Sequence, residues 1–302
     1  MEALETLQRR IDNVNDMQSV TTTMKTMAAV SIRQYEAALH ALVDYDRTIE
    51  QAFQILVRHP PLAPRPLEFA RPRKGRAGAV ILGSDQGMCG QFNDQIARHA
   101  LASDFKPSAE SEQWHVVAMG RRVRNVLEDA GQPVDVTFAV PVSANDITRL
   151  VQELLPCIQT WQEDRHLDKL IVFYNQRTSA ATSRPHSLQF LPISEERFSA
   201  WRATPWHSRS TPTFTMSWED LLSKSVRQYL FVALFRACAE SLASENASRI
   251  ASMQLAEKNI EERLAELTTQ FYQLRQTAIT EELLDVVTGF EALRGRSKRY
   301  TE

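Results

Sequence analysis

From Met1 to His59 the chain contains neither glycine nor proline, and from Thr213 to Thr288 it again contains neither. All 13 prolines and seven of the nine glycines lie between these two stretches. Glycine and proline are the main interrupters of helix, so two uninterrupted runs at opposite ends predict two very long helices. Helices of ~59 and ~76 residues would reach roughly 90 and 110 Å at ~1.5 Å per residue, well beyond the diameter of a compact domain. Such a chain reads as a shaft or strut rather than as a pocket enzyme.

Both runs are amphipathic. Leu4, Leu7, Ile11 and Val14 are spaced 3-4-3, the seam of a coiled coil. The apolar stripe then slips to Met17, Val20, Met24 and Met27, and continues through Ala28, Ile32, Tyr35, Leu39, Leu42, Ile49, Phe53 and Leu56. Such a slip matches the drift between a 3.6-residue helix and a 3.5-residue repeat. The three methionines read as core, with a smooth sliding surface as the sharper alternative. In the second run Ile250 and Met253 lead into Ile260, Leu264, Leu267, Phe271, Leu274 and Ala278, and Ile279, Leu283, Val286 and Phe290 carry the stripe onward. Each helix has one apolar stripe that needs covering, and the other helix is the cheapest cover. The stripes alone do not set the direction of pairing. A middle segment that leaves and returns at one end of the pair favours antiparallel.

The middle has a different texture. Residues 59–78 are rich in proline and arginine and read as a linker. Strands are expected at Ala79–Ser84, Trp114–Met119, Val134–Val140 and Lys169–Asn175, with a possible edge strand at Ser187–Ile193. Helices are expected at Phe92–Leu101, Arg121–Asp129 and Ala144–Glu163. This alternation implies an α/β domain on a largely parallel sheet. Glu195–Pro212 reads as a loop, and the basic tail from Arg294 as a disordered end, with an electrostatic contact to an acidic partner as the lesser reading. The division is therefore 1–59 for the first helix, 60–212 for linker and α/β domain, and 213–302 for the last helix and tail.

Little chemistry is visible. The net charge of −2 argues against a general nucleic-acid binder. Three scattered cysteines give no disulfide framework and suit a reducing compartment. No apolar run approaches the ~18 residues that span a bilayer, so the chain is expected to be soluble and to meet a membrane only through a partner. The phosphate loop, the dinucleotide fingerprint, HExxH and CxxC are all absent, and no metal or cofactor is expected. One local motif remains: Gly83-Ser84-Asp85-Gln86-Gly87-Met88-Cys89-Gly90, between a strand and a helix. It is either an anion site or nucleophile carrier, or a tight turn needing positive φ at Gly87 or Gly90. A contact loop on the domain surface is a third reading. Paired acids such as Glu261–Glu262 and Glu281–Glu282 read as solvated helix surface.

Four segments, in matching order and spacing, carry a resemblance over nearly the whole chain. They are Ile11-Asp12-Asn13-Val14 through Met24-Lys25-Thr26-Met27-Ala28-Ala29, Ser84 to Asn93 (SDQGMCGQFN), Leu242 to Met253 (LASENASRIASM), and Tyr272 to Leu283 (YQLRQTAITEEL). Together they resemble the gamma subunit of the F-type ATP synthase, the central rotor stalk. The last two are the most specific, because packing alone does not fix polar residues in a coiled coil. The resemblance implies an antiparallel coiled coil of the N- and C-terminal helices with a central Rossmann-like α/β domain. It implies a non-catalytic subunit that couples ion translocation to ATP synthesis or hydrolysis by rotating inside the alpha/beta hexamer. Its implied partners are the alpha and beta subunits, the epsilon subunit and the c-ring. The implied location is peripheral, on the cytoplasmic face of a bacterial plasma membrane.

Carried over by motif position, Arg249, Gln276, Thr280 and Glu282 are expected to contact catalytic-subunit loops, and Met24 and Cys89 to approach the acidic lever loop of beta. The chain departs from the family pattern at Thr22, Thr23, Gln86, Gln91 and Phe92, and so is similar to a divergent member, of the kind found in alternative sodium- or proton-linked ATPases of some bacteria. The rival reading is a small-anion-binding α/β protein that dimerises through its helices. Arg275-Gln276 followed by Thr280 has no purpose in an ordinary dimerising coiled coil.

Overall fold

The computed structural model describes residues 2–59, 76–103, 114–164, 167–178, 183–206, 209–210 and 213–298. Most of the predicted linker, residues 60–75, lies outside them. Helix α1 is Glu2–Arg58 and the last helix, α6, is Trp218–Lys298. Between them come β1 (Arg76–Leu82), α2 (Phe92–Leu101), β2 (His115–Met119), α3 (Arg121–Asp129), β3 (Val136–Phe138), α4 (Ala144–Asp164), β4 (Leu167–Arg177), β5 (Ser183–Leu191) and α5 (Glu195–Ala203). Helix α6 starts five residues later than its glycine- and proline-free run. Ser217 supplies the reason: its Oγ accepts from the Asp220 N–H at 3.1 Å and donates to the Asp220 carboxylate at 2.7 Å, a cap that fixes the first turn. At its far end α6 passes through Gly295 to Lys298, so the backbone of the predicted disordered tail is helical up to that residue. A single glycine lowers helix stability by only about 1 kcal/mol and does not end it.

The chain divides into two compact units, residues 27–251 and residues 1–26 with 252–302. In the larger unit the strands form one sheet in the order β3-β2-β1-β4-β5. All neighbours are parallel except β4 and β5. Alternation along β1 sends Ala77, Ala79 and Ile81 to one face, against Ile96 and Ala100 of α2 and Val123 and Leu127 of α3. Val80 and Leu82 point to the other face, against Ile147, Leu154 and Ile158 of α4, Tyr35 of α1 and Leu234, Cys238 and Leu242 of α6. The terminal helices thus serve as part of one helical layer of a Rossmann-like domain. They run antiparallel: the Trp218 indole N–H donates to the Leu56 carbonyl, Tyr45 meets Gln228, and Arg236 meets Asp46.

Helix α5 corrects the reading of Glu195–Pro212 as a loop. It follows Ser194, carries Glu195 and Glu196 in its first turn, and buries Phe198 and Trp201. Trp201 stacks on Phe53 with centroids 4.1 Å apart, and Phe198 meets the same ring edge-on. These two aromatic residues hold the short helix in place.

The seam of α1 also differs from the sequence reading. Met17, Val20 and Met27 are exposed, at 58, 55 and 66%. The buried and half-buried positions run instead through Leu4, Leu7, Ile11, Val14, Gln18, Thr21, Lys25, Ala28, Ile32, Tyr35, Leu39, Leu42, Asp46, Ile49, Phe53 and Leu56. This is an unbroken 3-4 repeat with no slip, as a left-handed coiled coil requires. Three of its polar members have partners. Asp46 pairs with Arg236, Lys25 pairs with Glu257 of α6 at 2.5 Å, and Thr21 donates to the Met17 carbonyl of its own helix.

Candidate partner-contact site

Three of the six candidate residues lie together near the end of α6. Gln276, Thr280 and Glu282 are all exposed. The Thr280 hydroxyl donates to the Gln276 carbonyl at 2.8 Å, and Thr277 donates likewise to Gln273 at 3.0 Å. These bonds hold both threonines against the backbone, and Gln276, Thr277 and Thr280 line one shallow hollow with Gln273 and Glu281. The apolar residues of this stretch are exposed as well: Leu274, Ile279, Leu283, Leu284, Val286 and Val287. The expected burial of Ile279, Leu283 and Val286 by the other helix does not occur. Level for level from the Lys25–Glu257 pair, α1 is used up near Thr280. Leu267, within reach of α1, is buried at 2%. Met24 is half-buried on α1 beside Lys25.

Cys89 and Arg249 occupy a different setting, at the carboxyl ends of the strands. There the turn after β1 is tied up internally. The Ser84 N–H donates to Asn93 Oδ1 at 2.9 Å, Asn93 Nδ2 donates to Ser84 Oγ at 2.8 Å, and that hydroxyl donates to the Gln86 carbonyl at 2.8 Å. Cys89 Sγ lies 3.6 Å from the Ser84 hydroxyl. Left-handed backbone falls at Gly90 (φ 59°) and at Met88 (φ 62°) rather than at Gly87. Asp85 accepts from the N–H groups of Arg121 and Val140, which stitches the turn to the loops after β2 and β3. At Gly120, φ is 106° and an added Cβ would lie 2.6 Å from Ser84 backbone atoms, so the close approach of the two loops needs glycine there.

Parallel sheets of this kind bind ligands where the strand order reverses, outside the strand carboxyl ends. Here the reversal lies between β1 and β4. The chain's own helices supply the groups around it. Tyr35 donates to the Val142 carbonyl at 3.2 Å. Arg249 donates to Glu245 at 2.5 Å and to Asn246 at 3.2 Å, with both members of the pair more than nine-tenths buried. Burial pushes the Glu245 carboxyl up, and the Arg249 guanidinium opposes this. Burial also pushes the Cys89 thiol up, which keeps it a poor nucleophile. Tyr35 is pushed up to about 12, first by burial and then by the Glu245 and Asp146 carboxylates. The arrangement is that of a filled crevice. Cys89 and Arg249 therefore belong to one inward-facing cluster, whereas Gln276, Thr280 and Glu282 face solvent. Sequence reasoning reads the exposed methionine face of α1 first as core and only second as a sliding surface, and it does not single out the uncovered apolar residues beyond Thr280 as surface. The strict heptad spacing was the signal that would have found the first.

Among the described residues no group of histidine, cysteine or acidic side chains is arranged to hold a metal, and no helix is long and apolar enough to cross a membrane. The family model described as ATP synthase matches residues 3–293. The ATP synthase gamma chain of Anaeromyxobacter sp. (strain Fw109-5) is 30% identical, across 97% of this chain and 100% of its own. That of Syntrophus aciditrophicus (strain SB) is 29% identical, across 97% and 99%. Among solved structures, a chain of the Euglena gracilis mitochondrial ATP synthase (OSCP/F1/c-ring, rotational state 3) matches with a TM-score of 0.63 at 16% identity, over 98% of this chain and 96% of its own. A central stalk/c-ring chain of the Tetrahymena thermophila enzyme gives 0.51 at 17% identity, over 78% and 99%. These structural likenesses concern the fold, and the near-complete sequence match gives the lineage: the chain belongs to the ATP synthase gamma-chain family.

Proposed function

We propose that the chain is the central rotor stalk of a rotary ATP synthase, and that it carries no catalytic site of its own. Its partners are the alpha and beta subunits around the coiled coil, with the epsilon subunit and the c-ring at the α/β body. Residues 1–59 and 213–302 are assigned to the axle and residues 60–212 to the driven body, whose helical layer is completed by the inner parts of the two axle helices. The subunit is peripheral, held at the cytoplasmic face of a bacterial membrane by its complex. It performs no bond chemistry. Turning an asymmetric shaft makes each of three equivalent catalytic sites meet different side chains, and this differential contact biases them into different conformations.

The observation that supports this reading best is the end of α6. Gln276, Thr280 and Glu282 stand exposed near apolar side chains that none of the described residues covers. Hydrogen-bonding groups set within an apolar surface are what a partner reads. Met24, on α1, is proposed to meet the lever loop of beta. Cys89 and Arg249, being enclosed, are proposed to act from inside by holding the Ser84–Gly90 turn against α6. The test is reconstitution with the alpha and beta subunits of the same bacterium. The chain is expected to co-purify with both in one complex and to be required for ion-coupled ATP turnover. A chain that stays monodisperse and leaves coupling unaffected would sink the proposal.

A further inference from the structure

The larger unit holds one groove that the rotor reading does not use. It has a volume of about 580 Å³, lies between α1, α4 and α6, and is lined by Tyr45, Gln152, Leu155, Lys224, Arg227, Gln228 and Phe231. Its polar lining is mostly made of donors. Lys224 and Arg227 stand one helical turn apart on α6, and neither has an ion-pair partner among the described residues. Of the carboxylates adjacent in sequence to the lining, Asp44 pairs with Arg47, Asp46 with Arg236 and Glu153 with Arg149, and Asp220 accepts from the Ser217 hydroxyl. Among the described residues no carboxylate lines the groove. The Tyr45 hydroxyl donates to Gln228 Oε1 at 2.8 Å, so the acceptor end of that amide is occupied and its NH2 remains to donate. Leu155 and Phe231, both half-buried, add an apolar wall that continues into the core.

We propose that this groove binds a phosphate ester carrying an apolar group. A planar guanidinium, an ammonium and amide donors match a multiply charged oxyanion, and the guanidinium suits two phosphate oxygens at once. The volume falls in the usual range for small-ligand sites, and the apolar wall suits an alkyl or aryl body. The site is separate from the exposed end of α6 and does not rest on the rotor reading. The phosphate ester comes either from a soluble metabolite or from the head of an anionic lipid, and both present the same chemistry.

The full chain is titrated calorimetrically with hexyl phosphate, with inorganic phosphate, and with neutral vesicles that lack or contain an anionic phospholipid. Hexyl phosphate is expected to bind and to raise Tm, and inorganic phosphate to bind at least tenfold more weakly for want of an apolar body. The double change Lys224→Gln with Arg227→Gln alters only exposed side chains, so Tm without ligand is expected to hold while hexyl phosphate binding weakens at least tenfold. Gln152→Glu, which puts a carboxylate into the lining, is expected to weaken it similarly. Co-sedimentation with anionic vesicles alone, lost in the double variant, assigns the ester to a lipid head. Binding of hexyl phosphate without co-sedimentation assigns it to a soluble ester. No binding of hexyl phosphate, or equal binding by the wild-type chain and both variants, overturns the site whatever the vesicles do.

Discussion

Glu245 and Arg249 form an ion pair taken almost wholly out of water, one helical turn apart, beside the turn that carries Cys89. A buried pair is poor evidence of stability in itself, but breaking one leaves an uncompensated charge at a cost of about 3–5 kcal/mol. Glu245→Ala is therefore expected to lower the unfolding free energy by about that amount in urea titration, whereas Glu245→Leu with Arg249→Met should cost clearly less. Sequence motifs marked Arg249 as special but gave no sign that it faces inward, because one helix offers several faces and only the packing of α6 against the sheet decides which is enclosed. Cys238 gives a second prediction. Its thiol is fully buried and pushed from 9.0 to about 12. The unfolded thiol ionises first, so the stabilising contribution is complete below pH 9 and is lost as pH rises toward 12, by about 1.4 kcal/mol per pH unit. Tyr35 adds the same sign above pH 10. Cys238→Ala is expected to flatten the alkaline decline of Tm between pH 9 and 10.5, and an unchanged slope would contradict the assignment.

The helices and most strands were legible, because the absence of glycine and proline and the strand–helix alternation are local signals. Where α1 packs was half legible. A stripe sought by apolarity jumps to Met17, Val20, Met24 and Met27, because Gln18, Thr21 and Lys25 hold seam positions with polar side chains. Keeping the 3-4 step from Val14 to Ile32 would have passed through Gln18, Thr21, Lys25 and Ala28. The two registers make opposite predictions at Met17, while Tyr35 belongs to both. Met17→Asn is expected to leave the unfolding free energy within the ~0.5 kcal/mol typical of surface changes, while Tyr35→Ala should cost about 3–5 kcal/mol as a large aromatic lost from the core. Helix α5 was not legible at all. What fixes it is Trp201 stacking on Phe53, a partner nearly 150 residues away in sequence.

For the whole molecule, the family and its architecture were readable from four separated motifs, but the contact residues divide into classes that the motifs did not separate. Gln276→Ala, Thr280→Ala and Glu282→Ala, combined, touch exposed positions only. In the reconstituted complex the triple variant is expected to lower coupled ATP turnover severalfold with the Tm of the isolated chain unchanged. Unaltered turnover would show that these three positions make no working contact. The Lys25–Glu257 pair joins residues 232 apart. At the ~5–20 residues per second of translation, roughly 10–50 s pass between the appearance of one member on the ribosome and that of the other. During that interval the first heptads of α1 are synthesised but widowed, so the nascent chain is expected to need shielding by a chaperone until its last helix emerges.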